Sequence, residues 1–470
     1  MAINTVFRRI TSVYRLVALC TILFTVHVCH AQKKSGSPNI IYIMADDLGY
    51  ADLGCYGQKT LRTPHLDQMA KEGARFTQFY AGSTVCAPSR CALMTGKHMG
   101  HAYVRGNKEM PLRPDDMTLA KLMKNKGYVT GMYGKWGLGL EDNTGSPEKQ
   151  GWDEVLGYLH QRVAHRYNVD YLWQVNAGKL SKYPMDTNTN THTVIIHKAK
   201  DFIRQQQHKP FFLYLPVTIP HAEMRAPTPE SLAPFLKPDG SSVFDEKPFV
   251  RPPNGSYRSQ PMPNAAFAAM MKQMDEDVGS ILALLKELGI ADNTYVFFTS
   301  DNGPHQEGGR VVEFFNSNGD LKGYKRDLYE GGIRVPMIAW APGRIRAGTE
   351  VHEPLANWDV LPTLAELTQQ KAPAGIDGLS FAAVLEGRSL KNKHDYLYWE
   401  FFERGFDQAL RAGDWKIVKR KSNNSKTELY NLKDDLAESN DLATQFPDKV
   451  KALEKLMESA RVDSQEFPVN

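Results

Sequence analysis

Two short apolar runs end in the same kind of residue. Asn39-Ile40-Ile41-Tyr42-Ile43-Met44-Ala45 stops at Asp46-Asp47, and Thr294-Tyr295-Val296-Phe297-Phe298-Thr299 leads through Ser300 to Asp301-Asn302-Gly303. A continuous apolar run of this length is the pattern of a strand buried on both faces. In open α/β sheets the ligand site lies beyond the carboxyl ends of the strands. The two endings together would supply three carboxylates and one amide carbonyl. Hard oxygen donors of that kind suit Ca²⁺ or Mg²⁺ better than zinc. Aspartate after a strand also serves as a helix cap or turn residue, and a single such ending would be read that way. The second signal is Cys86-Ala87-Pro88-Ser89-Arg90-Cys91-Ala92-Leu93-Met94-Thr95-Gly96. Pro88 suits the first turn of a helix, which puts Cys86 at its positive N-terminus. A buried structural cysteine would not account for Pro, Ser, Arg, Leu, Thr and Gly at these offsets.

On these residues the chain resembles the type I sulfatases (arylsulfatase A-like) of the alkaline phosphatase superfamily. Their Cys-x-Pro-Ser-Arg-x-x-Leu-x-Thr-Gly signature directs oxidation of the cysteine to formylglycine (3-oxoalanine). Every fixed position matches, and the likeness runs from Asn39-Ile40-Ile41 to Leu410-Arg411-Ala412-Gly413-Asp414-Trp415-Lys416. The resemblance implies a hydrated formylglycine at position 86, one hydroxyl of which attacks sulfur and releases the alcohol. Its other hydroxyl then loses a proton as sulfate is expelled, while metal and cations neutralise charge on the transferring group. It implies Asp46, Asp47, Asp301 and Asn302 as ligands of Ca²⁺ (or Mg²⁺), with position 86 adding an oxygen. Arg90, one helical turn from Cys86 and on the same face, would orient the nucleophile. Lys135, in Gly134-Lys135-Trp136-Gly137, would contact nucleophile and sulfate. His221, after Thr218-Ile219-Pro220, would protonate the leaving oxygen, and Lys325, before Tyr329-Glu330-Gly331-Gly332, would bind sulfate. The implied partners are a sulfated glycan as substrate and a formylglycine-generating or radical maturation enzyme.

One position departs from the pattern. Many relatives read Gly-Lys-Trp-His-Leu-Gly, whose histidine accepts the second proton, and this chain reads Gly134-Lys135-Trp136-Gly137-Leu138-Gly139. His98, His101, His160, His165, Lys135 and metal-polarised water are the candidates for that task. For specificity, Arg105, Asn107, His160 and Arg162, with Tyr103, Trp152, Gln161 and Arg225, fall on loops expected near the active face. Arg and aromatic side chains there could hold an anionic sugar. Two other functions stay open on sequence alone: a phosphodiesterase or phosphonate monoester hydrolase of the same superfamily, and a non-catalytic binder of sulfated glycans.

These residues need a scaffold, and the sequence offers one. Tyr128 to Met132, Phe211 to Pro216 and Val335 to Ala339 are further strand patterns. They alternate with helical stretches at Thr63 to Gly73, Met117 to Lys126, Thr193 to Gln206, Ala265 to Leu288 and Trp358 to Thr368. Such alternation predicts an α/β fold: a large, mostly parallel sheet sandwiched by helices, alkaline phosphatase-like by the resemblance. The Pro-rich segment from about 218 to 263 reads as a surface excursion crossing near the active face. After about residue 385 short strands follow one another (Tyr396 to Phe402, Gln408 to Arg411, Trp415 to Lys419, Glu428 to Tyr430), closed by a helix from Pro447 to Arg461. The expected organisation is a signal peptide over 1–31, a catalytic α/β domain over 32–384, and a C-terminal α+β subdomain with a short antiparallel sheet over 385–470.

The N-terminus changes the arithmetic of the whole chain. Arg8, Arg9 and Arg15 precede the apolar run Leu16 to Val28, and Ala31 precedes polar Gln32. That is the layout of a cleaved secretory signal; its apolar run is short of the ~20 residues a membrane span needs. The expected product is exported, periplasmic or secreted, without stable membrane insertion. The full chain carries 57 Lys+Arg against 53 Asp+Glu, and removal of three arginines leaves it close to neutral. A near-balanced charge argues against a nucleic-acid binder. Five cysteines in 470 residues are too few for a disulfide framework. Cys55, Cys86 and Cys91 remain after cleavage, and Cys55 with Cys91 could pair in an oxidising compartment.

Overall fold

A computed structural model describes residues 37–421, 424 and 426–469; the expected signal peptide lies outside them. The strands in chain order are β1 (Asn39–Ala45), β2 (Ala74–Phe76), β3 (Phe79–Tyr80), β4 (Val129–Lys135), β5 (Glu154–Tyr158), β6 (Tyr171–Asn176), β7 (Lys179–Pro184) and β8 (Phe211–Pro216). They continue as β9 (Thr294–Ser300), β10 (Met337–Trp340), β11 (Thr349–Val351), β12 (Leu355–Ala356), β13 (Leu397–Phe401), β14 (Asp407–Ala412), β15 (Trp415–Lys419) and β16 (Thr427–Asn431).

Ten of them form one sheet in the order β11-β2-β10-β9-β1-β8-β4-β5-β6-β7. Its centre is parallel, because β1 pairs in parallel with both β8 and β9, and β4 with β8 and β5. Its flanks turn antiparallel: β10 runs against β9 and β2, and β6 against β5 and β7. The expected mixed, mostly parallel sheet is therefore present. Every residue of β1 is buried, and its alternate side chains enter two different cores: Ile40, Tyr42 and Met44 on one face, Ile41, Ile43 and Ala45 on the other. A strand covered on both faces reads as a continuous apolar run for this reason.

Register aligns the strand ends. Ala45 faces Ser300 across β1–β9, Met44 faces Pro216 across β1–β8, and Lys135 closes β4 opposite Tyr158 of β5. Four neighbouring parallel strands, β9, β1, β8 and β4, thus release their chains on one edge of the sheet. The residues that follow are Asp301-Asn302, Asp46-Asp47 and the Val217–His221 turn, with Lys135 at the last position of β4.

A four-stranded antiparallel sheet, β13-β14-β15-β16, lies C-terminal, with the helix Pro447–Ser459 on one face. Tyr398, Leu410, Ile417 and Leu429 pack under Leu453, Met457 and Ala460 of that end. The other face of the small sheet joins the main body: Trp399 Nε1–H donates to the Ala81 carbonyl at 2.9 Å, and Arg411 Nη1 bonds the Tyr80 hydroxyl. No helix among the described residues is long and apolar enough to cross a membrane.

Candidate active site

The Cys86 motif is legible residue by residue in the structure. It forms the helix Cys86–Thr95, all ten residues of which are buried. Cys86 is its first residue, and Val85 before it offers no capping side chain. The orphan N–H of Ala87 donates to Asn107 Oδ1 at 2.9 Å instead, a cap supplied from a distant loop. Ser89 Oγ accepts the Gly82 N–H and donates to the Asp301 carbonyl, tying the helix to the end of β9. Arg90 Nη2 reaches Asp301 Oδ2 at 2.7 Å and Nη1 the Lys135 carbonyl at 2.9 Å. Leu93 enters the apolar core, Thr95 Oγ1 donates to the Cys91 carbonyl, and Gly96 closes the helix at φ 67°. A left-handed helix end of this kind favours glycine.

Around Cys86 the strand ends converge. Its Sγ lies 3.3 Å from Asp46 Oδ1 and 3.9 Å from Asp47 Oδ1. Asp47, at φ 63°, donates its N–H to Asp301 Oδ1, and Asn302 Nδ2 donates to Asp47 Oδ1 at 2.6 Å. Asp46, Asp47, Cys86 and Asp301 each present a ligand atom within 4.8 Å of the others, and all four residues are buried. Asn302 Oδ1 is buried among them without a hydrogen-bond partner. Such a cluster of carboxylates is electrostatically frustrated. Burial and Asp46 push Asp301 up to about 6. Burial alone would raise Asp46 too, but Lys135, His221 and Arg90 hold it well below the usual carboxylate range. An orphaned amide oxygen beside three packed carboxylates fits a hard divalent cation, and these are the residues that would hold it.

Two buried lysines flank this cluster in matching ways. Lys135 Nζ bonds Asp46 Oδ2 at 2.7 Å and lies 3.3 Å from His165 Nε2. Lys325 Nζ bonds Asp47 Oδ2 at 2.7 Å and lies 2.9 Å from His221 Nε2. The two imidazoles stack with centroids 3.8 Å apart. His221 Nδ1 faces the Ala222 carbonyl at 2.5 Å; a carbonyl only accepts, so Nδ1 carries the proton and Nε2 turns its lone pair to the ammonium. Burial and the Lys325 charge bring His221 down to about 3, and burial with His221 beside it lowers His165 well below its ordinary value. Burial would lower both lysines as well, but Asp46 and Asp47 outweigh it and raise them.

Sequence reasoning left several of these groups out. His305 stacks on His221 at 4.9 Å; Glu307 Oε2 sits 3.7 Å from His221 Nε2 and accepts from the Tyr257 hydroxyl at 2.7 Å. Arg326 Nη1 holds the other oxygen of Glu307 at 2.8 Å. Arg310 braces the Asp46–Asp47 turn from behind, donating to Asp52 Oδ2, Ser317 Oγ and the Asp47 carbonyl over the face of Phe267. His305 and Glu307 follow Asp301-Asn302 closely enough to have been suspected. Tyr257 comes from the Pro-rich excursion and carries no local signal.

The histidines named as candidates for the second proton separate cleanly. His98 and His101 belong to another cluster, around Asp377, with His98 packed on Trp358, Tyr396 and Tyr398. His98 Nδ1 accepts the Gly100 N–H, so its neutral ring carries a proton on Nε2 and has no lone pair there for a metal. His160 pairs with Glu109 at 2.7 Å and is partly exposed. His165 alone of the four stands beside Lys135 and His221. Gly137 itself adopts φ 74° and donates its N–H to the Leu159 carbonyl. A Cβ there would meet Gln161 Nε2 at 2.0 Å. Gln161 fills the space a side chain at 137 would take, and His165 follows four residues on.

Some expected substrate residues are placed otherwise. Arg105 is buried, donating to the Ala102 and Val462 carbonyls and to Glu400; its guanidinium stitches the C-terminal end to the body. Trp152 is buried, stacked on Phe212 and Tyr214 inside the core. Asn107 caps the Cys86–Thr95 helix. Arg162 and Arg225 are exposed. Cys55 and Cys91 are free thiols, like Cys86; burial pushes Cys55 up to about 12 and Cys91 up to about 11.

A family model described as Sulfatase matches residues 38–370, and one described as N-sulphoglucosamine sulphohydrolase, C-terminal, matches residues 322–463. The chain belongs to the sulfatase family, and its reaction is the hydrolysis of sulfuric esters. It is 30% identical over 456 residues to steryl-sulfatase of Rattus norvegicus, spanning 79% of this chain and 74% of that one. It is 33% identical over 383 residues to N-acetylgalactosamine-6-sulfatase of Homo sapiens, spanning 75% and 66%. Among solved structures, Ps i-CgsB in complex with k-i-k-neocarrahexaose superposes with a TM-score of 0.72 at 28% identity, covering 90% of this chain and 93% of that one.

Proposed function

We propose that this sulfatase acts on a sulfated carbohydrate, with Cys86 converted to formylglycine and a divalent cation, Ca²⁺ by donor type, held by Asp46, Asp47, Asp301, Asn302 and position 86. The observation that carries the reading is the pair of lysine bridges on either side of Cys86, Lys135 to Asp46 and Lys325 to Asp47. Two buried ammoniums at the mouth of a carboxylate cluster fit an incoming anion that shares its charge between them and the cation. Relatives named for N-acetylgalactosamine sulfate and a structural neighbour bound to a carrageenan fragment support a glycan as the substrate class.

Formylglycine, once formed, supplies a hydroxyl nucleophile and the cation supplies Lewis-acid charge neutralisation; the remaining work falls to the chain. Arg90 fixes Asp301 and the Lys135 backbone, and so the geometry around position 86. Lys135 and Lys325 bind the sulfate oxygens. The proton for the leaving oxygen resides on the Lys325–His221 pair, because His221 Nδ1–H is committed to the Ala222 carbonyl and Nε2 meets the ammonium. His165 Nε2, beside Lys135, takes the acceptor role that Gly137 vacates. Burial of Arg90, Lys135, His221 and Lys325, with His165 half-buried beside them, keeps water from competing.

Residues 1–31 act as the signal peptide in this reading, and the mature chain works in the periplasm or outside the cell. Mass spectrometry of the peptide spanning residue 86, from protein made with a maturation enzyme, tests the nucleophile. The expected product is the aldehyde, together with dependence of sulfate release on Ca²⁺ after chelation. Full activity from protein that retains an unmodified cysteine would overturn it.

A further inference from the structure

A second basic cleft adjoins the sulfate site. Arg166, Arg251 and Arg258, with Glu223 and Ser256, line an open space of about 170 Å³, room for roughly five or six waters at ~30 Å³ each. All three arginines are exposed, while Glu223 forms a buried floor with one oxygen, Oε1, lacking a hydrogen-bond partner. Arg258 Nε is 3.7 Å from Glu223 Oε2, beyond hydrogen-bond reach, and Arg251 Nε spends its donor on the Gly255 carbonyl. Three guanidiniums face one carboxylate there, so two positive charges are unbalanced at the lining.

The cleft is built from the same three chain segments as the centre. Arg166 directly follows His165, which stacks on His221. Glu223 lies two residues after His221 and donates its N–H to the His165 carbonyl at 3.3 Å. Ser256 and Arg258 flank Tyr257, whose ring lies 6.1 Å from both His165 and His221. Each segment gives one side chain to the sulfate site and another within two residues to the cleft, so the two spaces are side by side.

We infer that this cleft is an anion subsite that receives a second negatively charged group, sulfate or carboxylate, of the same glycan whose ester occupies the catalytic site. Planar guanidiniums match both groups bidentately. The inference rests on the sulfatase reading above and narrows its substrate class to saccharides with more than one anionic group. It also explains how a nearly neutral chain retains a polyanion: by three placed charges, without a basic surface.

The test reads binding apart from turnover. Affinities of the full-length Cys86→Ala chain are measured by calorimetry for three tetrasaccharides: one bearing a single sulfate, one bearing two sulfates, and one bearing a sulfate and a uronic carboxylate. At least one doubly charged probe is expected to bind roughly tenfold or more tightly than the singly charged one, and which one does so tells sulfate from carboxylate. Combined Arg166→Gln, Arg251→Gln and Arg258→Gln substitutions should abolish that preference, whereas Lys59→Gln, Arg346→Gln and Lys391→Gln, on exposed positions outside the cleft lining, should keep it. Equal affinity for all three probes, or equal loss in both sets of variants, overturns the subsite. Sulfate release by the mature wild-type chain is read separately: its absence with the binding preference intact would refute the catalytic reading and leave the subsite standing.

Discussion

Gly137 stands where a side chain would collide with Gln161. Its φ of 74° and the Gln161 amide 2.0 Å from where a Cβ would stand make glycine the residue that fits. Gly137→Ala is expected to cost ~1–2 kcal/mol from left-handed backbone strain and to displace Gln161. Because His165 lies one turn beyond Gln161, turnover should fall with it. A lowered melting temperature together with a lowered kcat would bear this out; an unchanged kcat would mean that His165 is indifferent to what fills that space. His165→Gln sharpens the point. It should lower kcat strongly while the Lys135–Asp46 bridge, read from the lysine's protection against acylation, survives. If kcat stays unchanged in His165→Gln, another group accepts the proton.

Among the elements, the helix Cys86–Thr95 depends on a cap from outside itself. Asn107→Ala would leave the Ala87 N–H orphaned at the position next to Cys86, a loss of about 1 kcal/mol by the usual worth of a cap. Asn107→Asp, which keeps the acceptor, should restore stability; if both variants melt alike, the loop and not the cap holds the helix. The central strands were legible because burial on both faces writes itself as an unbroken apolar run, as in β1, β8 and β9. The flanks were not: Tyr171–Asn176 and Lys179–Pro184, at one end of the sheet, mix exposed, half-buried and buried residues without an unbroken apolar run. The reversal of β10 is a matter of long-range pairing that no local pattern encodes. At the site the same divide holds. Asp46, Asp47, Cys86, Asp301, Lys135 and Lys325 sit in runs with fixed neighbours. Tyr257 reaches His221 from a Pro-rich excursion whose path only the folded chain defines, and Arg105, read as a loop residue facing substrate, turned inward to Glu400.

At the scale of the molecule, the small sheet is fastened by a buried charge cluster. Lys416 of β15 lies 2.9 Å from both Glu330 and Glu438. One ammonium cannot satisfy two ionised carboxylates in a dry seam. Burial pushes Glu438 up to about 7, while Lys416, Arg334 and Arg411 overcome burial and hold Glu330 down to about 2. A carboxyl raised in the folded state favours folding fully below its ordinary pKa and loses that contribution as pH rises through its folded value. For Glu438 the window runs from about 4.5 to about 7, worth up to ~3 kcal/mol. Glu330 acts in the opposite sense and only toward pH 2. Thermal unfolding between pH 5 and 8 should therefore show the wild type losing stability relative to Glu438→Gln as pH rises. Parallel curves for the two proteins would place the proton elsewhere.

In the proposed function the strand ends and the paired lysines serve one reaction at position 86. Its most direct test compares kcat/KM on 4-nitrophenyl sulfate with that on bis(4-nitrophenyl) phosphate, for protein with verified formylglycine and for the Cys86→Ala chain. The predicted result is higher efficiency on the sulfate ester and none in Cys86→Ala. Higher efficiency on the phosphodiester, or sulfate release that survives Cys86→Ala, would contradict it.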